Sequence, residues 1–126
     1  VAALAATHRL IPVCPEVAGG LATPRPSAER QPGGRVHTVT GEDVTDAYQR
    51  GADHAVRVAL AASATRAVLK ARSPSCGSRE VYDGSFSRTS VPGAGVTAEA
   101  LGAVGVVVCS EEDLEPTGTL GAVRGA

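Results

Sequence analysis

The chain of 126 residues has no methionine, no tryptophan, one phenylalanine and two tyrosines, so aromatics make up 2% of it. That scarcity excludes the stacking platforms with which proteins hold single-stranded nucleic acid. A surplus of positive charge is also missing. The formal net charge is −1, without the basic footprint of a general DNA or RNA binder. Nor is there an unbroken apolar run of about 18 residues, the length that reads as a membrane span. Arg57, Arg66, Lys70 and Arg72 interrupt the longest Ala/Val stretch. Cysteine is scarce too, with Cys14, Cys76 and Cys109 the full set. An odd number argues against a disulfide framework and leaves thiols for metal or chemistry. The opening residues VAALAATHRLIPV carry no basic leader or small-residue cleavage site, so a cytoplasmic address is expected.

What is present suits one domain with an apolar core, 43% of residues being hydrophobic at a mean hydropathy of +0.04. Leu10-Ile-Pro-Val13 reads as a strand, and the Gly/Pro-dense stretch from Pro15 to Gly34 as a long loop. Arg35 to Thr40 alternates as a half-exposed strand. Asp43 and Asp46 form a weak capping-box variant ahead of the clearest helical pattern. In it Val44, Tyr48, Gly51, Ala52, Ala55, Val56, Ala59 and Leu60 share one face. Arg66 to Ala71 reads as a buried strand, Gly84 to Gly95 as turns, Thr97 as the cap of a helix ended by Gly105, and Val106 to Val108 as an apolar strand. This alternation predicts an α/β domain in three layers around a mainly parallel central sheet, spanning residues 1–115, with 116–126 a flexible tail.

Each cysteine follows an apolar strand candidate, where ligands collect in such sheets. Thiolates gathered at that edge suit a soft metal or an iron–sulfur cluster, although a lone cysteine at a strand end is as often a small buried hydrophobe. Ser73, Ser75 and Ser78 flank Cys76 as hydrogen-bond donors or as ordinary turn residues. Glu16 is the proton-transfer candidate, set against a plain surface carboxylate. His8, His37 and His54 share no ligand spacing with the cysteines. Gly93-Ala-Gly-Val-Thr-Ala98 matches the relaxed dinucleotide fingerprint, but the polar stretch before it, ending in Pro92, is no buried strand.

The strings Val13-Cys-Pro-Glu-Val-Ala-Gly-Gly-Leu21, Thr23-Pro-Arg-Pro-Ser-Ala-Glu29, Asp43-Val-Thr45, Ala67-Val-Leu-Lys70, Ser73-Pro-Ser-Cys-Gly-Ser78, Val81-Tyr-Asp-Gly-Ser-Phe86 and Gly95-Val-Thr97 occur in that order. Over about Leu10 to Glu112 the chain resembles the thiouracil desulfurase-like family. The resemblance implies an α/β domain with a [4Fe-4S] cluster on three cysteines. Its open iron would bind the sulfur of a thiolated pyrimidine, so that water turns C=S into C=O and hydrosulfide leaves. It further implies Cys14 and Cys76 as ligands; Ser73 and Glu16, the polar residues nearest to those ligands in sequence, are the catalytic candidates for orienting substrate or moving protons, with Ser75 and Arg25 as candidate substrate contacts. Members of the family begin with a strand and a Ser-Ala-Cys-Leu-Leu-Gly type motif that has no counterpart here, and Val1 is expected in the helix after it. Cys109 is then the one substitute for the missing thiolate within the chain. An absent strand would expose a sheet edge, predicting poor solubility or a homodimer. A small-molecule partner is expected, with no nucleic acid and no membrane. The alternatives are a non-catalytic or degenerate binding module of the same fold, and a thiol enzyme using Cys76 as nucleophile.

Overall fold

In the computed structural model, residues 8–113 are described. The expected helix at Val1 and the tail 116–126 lie outside them. The elements run α1 (Pro15–Ala18), β1 (Ala28–Arg30), β2 (Val36–Thr38), α2 (Thr45–Ala61), β3 (Arg66–Leu69), β4 (Glu80–Tyr82), β5 (Ser90–Pro92), α3 (Val96–Ala103), β6 (Val107–Ser110) and a 3₁₀ turn over Glu111–Asp113. The α/β class stands. β3 and β6 pair in parallel, with Val68 opposite Cys109, and α3 lies in the crossover between them. Among the described residues this parallel part is two strands wide, and β1–β2 and β4–β5 form antiparallel hairpins beside it.

Local chemistry explains where elements depart from the sequence expectations. Leu10 to Val13 takes no regular secondary structure and has no strand partner among the described residues, and Pro12 removes one ladder donor, so no strand forms. The stretch from Pro15 to Gly34 is not a single loop. Pro15 at the first helical position starts α1, and Ala28–Arg30 pairs with β2 as an antiparallel strand. Gly33 and Gly34, both at positive φ, close that hairpin. The Gly84 to Gly95 stretch also holds a strand, β5, because its backbone pairs with β4 despite a polar sequence. β3 is half exposed rather than buried and ends at Leu69, while β6 starts one residue late and takes in Cys109 and Ser110.

α2 matches the expected helix. The Asp43 carboxylate accepts from the Thr45 backbone N–H at 2.9 Å and from its hydroxyl at 2.6 Å, and the Thr45 hydroxyl in turn accepts from Val36 N at 2.9 Å. These bonds hold Asp43 well below the usual carboxylate range. They set the start of α2 against β2, with Val44 rather than Asp43 as N-cap. Ala47, Tyr48, Gly51, Ala52 and Ala55 are buried as the periodicity requires. The buried face stops there: Leu60 is 59% exposed, because the core of Val36, Val44, Tyr48, Ala52 and Val96 covers only the first half of the helix.

α1 crosses α2 at backbone contact. A Cβ on Gly51 would fall on the Pro15 carbonyl, and one on Gly19 on the Ala47 carbonyl, far inside contact distance. Alanine is favoured over glycine by about 1 kcal/mol within a helix, but overpacking at such a contact costs about 1–3 kcal/mol or more. The clash decides the sign. Gly51→Ala is therefore expected to lower the urea midpoint; an unchanged or raised midpoint would show that α1 does not lie on α2.

Candidate functional site

Cys14 and Glu16 are placed by α1. Cys14 is the N-cap residue and is exposed, while Pro15 behind it is buried against α2. Glu16 lies one turn position on, with its side chain mostly buried and its Oε2 3.8 Å from the Arg25 guanidinium. Arg25 is itself held by the Ala22 carbonyl at 3.2 Å and the Thr23 hydroxyl at 3.1 Å. The Gly-Gly turn after α1 thus folds the Pro-rich segment back so that its arginine faces the Glu16 carboxylate.

Cys76 sits in the loop after β3. The Ser73 hydroxyl oxygen accepts from the backbone N–H of Ser75 and of Cys76, both at 3.1 Å, and Gly77 N donates to Ser73 O at 2.9 Å. This wraps the loop into one tight turn. Its outer carbonyls then serve α3: Pro74 O accepts from Val96 N, and Ser75 O from Thr97 N and Ala98 N. Three amides at the helix start that lack partners within the helix are satisfied by the loop backbone. Gly95 is the N-cap in place of the expected Thr97, and a Cβ there would run into the Ser75–Cys76 backbone. The glycine pattern at 93–98 is thereby explained by close packing. Thr97 and Ser75 are both fully buried, and their hydroxyls meet at 2.7 Å. The structure places Ser75 inside the scaffold of the turn rather than on a surface open to a ligand.

The Cys76 thiol is buried, and burial pushes it above its ordinary value; the Glu16 charge adds to this, while the Ser75 and Ser73 hydroxyls and the Lys70 backbone pull the other way. Tyr48 joins the two halves of the site. Burial pushes its phenol up to about 12, and the negative charges on Glu16, Cys76 and Cys14 add to that, with Arg25 opposing. Cys14, Glu16, Arg25, Tyr48 and Cys76 therefore share one electrostatic neighbourhood. Tyr48 also lines a cavity of about 230 Å³ together with Leu21, Pro24, Arg25, Pro26 and Val44.

Cys109 does not join them. It is 1% exposed within β6, and the charges that act on its buried thiol are those of Arg66 and Arg79. Among the described residues no three His, Cys, Asp or Glu side chains gather as a metal-holding group, the three histidines included. The charges of Cys14 and Cys76 both act on Tyr48 and that of Cys109 does not, because pairing in the parallel ladder holds Cys109 in the strand. Tyr48 was visible in the sequence only as part of an apolar helix face; its position one turn from Val44, in a chain with two tyrosines, was the available signal.

The family model for 2-thiouracil desulfurase matches residues 1–113. The uncharacterized protein YbbK of Bacillus subtilis (strain 168) is 39% identical over 115 residues, covering 84% of this chain and 76% of that protein. Among solved structures, the [4Fe-4S]-dependent thiouracil desulfidase TudS superposes with a TM-score of 0.85 at 49% identity, covering 90% of this chain and 74% of that one.

The buried Ser75–Thr97 pair gives a test of the turn. Ser75→Ala alone leaves the Thr97 hydroxyl unsatisfied and should cost about 1–3 kcal/mol, whereas Ser75→Ala with Thr97→Val removes both groups and should recover part of that loss. Denaturant unfolding of the four proteins measures the cycle. Strictly additive losses would show that the two hydroxyls do not depend on each other.

Proposed function

The chain belongs to the 2-thiouracil desulfurase family, and on that premise we propose that it converts the thiocarbonyl of a small thiolated heterocycle, such as a thiolated pyrimidine, into a carbonyl with release of hydrosulfide. The observation that carries the reading is the meeting of Glu16, Arg25 and Cys76 around Tyr48 beside a cavity.

A cluster is the cofactor that the TudS likeness brings to mind. Cys14 and Cys76 supply two soft thiolates in one neighbourhood, but the described residues fall one thiolate short of a three-cysteine set. The donors present do not fit a cluster held that way, and no step here runs through iron.

The chain's own groups suit the exchange of sulfur for oxygen. Glu16, fixed by Arg25 in a mostly buried setting, takes a proton from water as the water oxygen bonds to the thiocarbonyl carbon and the C=S electron pair moves to sulfur. Glu16 returns that proton to the sulfur, the C–S bond breaks as the remaining hydroxyl proton passes back to Glu16 and on to solvent, and sulfur leaves as hydrosulfide with the carbon left as a carbonyl and no net electron transfer. Arg25 lines the cavity and lies 3.8 Å from the Glu16 carboxylate. Ser73 shapes the turn that presents Cys76 and lowers the cost of a thiolate there. Three free cysteines agree with action in the reducing cytoplasm.

The test is anaerobic incubation of the chain with 2-thiouracil, with and without prior treatment with iron and sulfide, following loss of the thione absorbance and formation of uracil. Glu16→Gln should lower kcat by about 10²–10⁴-fold, the usual range for a removed general base. No uracil from the unsubstituted chain under either condition would refute the reading.

A further inference from the structure

Tyr48 has two duties that can be told apart. Its ring packs in the core with Val36, Val44, Ala52 and Val96, a task that phenylalanine would perform equally well. Its hydroxyl does something else. The residue is 4% exposed and lines the cavity with Arg25, and its hydroxyl makes no hydrogen bond with any described residue. That hydroxyl is not among the buried atoms left without a partner, so it opens on the cavity it lines, where an acceptor that arrives with a ligand can reach it.

We propose that the Tyr48 hydroxyl is a substrate-binding and specificity-determining group, donating a hydrogen bond to a ring carbonyl oxygen of a single-ring heterocycle held in the cavity against Leu21, Pro24, Pro26 and Val44. This rests on the desulfuration reading for the nature of the ligand, and on the cavity for its size. A space of about 230 Å³ lies below the roughly 300–1,000 Å³ of sites that take drug-sized molecules, so it suits a free base and not a nucleotide. Burial and the nearby carboxylate keep the phenol protonated at neutral pH, which makes it a donor. The ligand must therefore offer an acceptor in addition to its sulfur. A heterocycle with a carbonyl beside the thiocarbonyl meets that condition; one with the thiocarbonyl alone does not.

The experiment compares the unsubstituted chain with Tyr48→Phe, which keeps the ring and its packing. Binding of 2-thiouracil and of pyridine-2-thione, which lacks the carbonyl, is measured from the thione absorbance, and thermal unfolding is recorded alongside. A lost hydrogen bond to a neutral acceptor predicts about three- to tenfold weaker binding of 2-thiouracil by Tyr48→Phe, with pyridine-2-thione binding and the unfolding midpoint unchanged. Equal 2-thiouracil binding by both proteins, equal losses for both ligands, or no binding of 2-thiouracil by the unsubstituted chain would each overturn the assignment. Uracil formation is followed in the same samples. The expected binding pattern without uracil would remove desulfuration and keep the role of Tyr48, whereas uracil formation with equal binding would do the reverse.

Discussion

The close crossing of α1 over α2 is the contact from which the site follows. Two glycines, Gly19 and Gly51, let the backbone of one helix rest on the backbone of the other, with no side chain between them. A four-residue helix has little stability of its own. Held against a helix of 17 residues, it becomes a fixed mount. Cys14 at its cap and Glu16 in its first turn are thereby set beside Tyr48, which α2 contributes from the same buried face as Gly51.

The second half of the site is fixed by a different device. The turn from Ser73 to Cys76 is short of regular structure yet rich in internal bonds, and it spends its remaining carbonyls on the first amides of α3. Turn and helix therefore stabilise each other. Serine fits this place because its hydroxyl can accept from the chain two and three residues ahead. The same bonds bring cysteine 76 to a buried position where its thiol is held neutral by desolvation and is eased toward a thiolate by neighbouring hydroxyls. Burial and hydrogen bonding act on it in opposite directions, and burial is the larger.

Much of this was legible in the residues themselves. The helix over Thr45–Ala61 follows from its spacing, since a single helical face can be buried by local periodicity alone. The motifs around Cys14 and Cys76 are dense in residues that force turns, and they mark the two loops that carry the chemistry. The short strands Ala28–Arg30, Glu80–Tyr82 and Ser90–Pro92 were not legible in that way. Three residues carry too little periodicity to register, and each strand exists because a partner lies next to it. Glu29 shows the same dependence: its buried carboxylate accepts from Gly84 N and Phe86 N, some 55 and 57 positions away in the chain.

The sequence by itself determined the α/β class, the family, the long helix and the two loops in which a thiol and a carboxylate could act, because these rest on local spacing and on residue types with fixed conformational demands. Which of those groups meet was decided by tertiary structure alone. Cys109 looked equivalent to the other cysteines until parallel pairing drew it into β6, and Ser75 looked like an open donor until Thr97 closed over it. Tyr48 became part of the site only when α1 and the Pro-rich segment folded back onto α2. Proximity between residues far apart in the chain is a property of packing, and no local pattern encodes it.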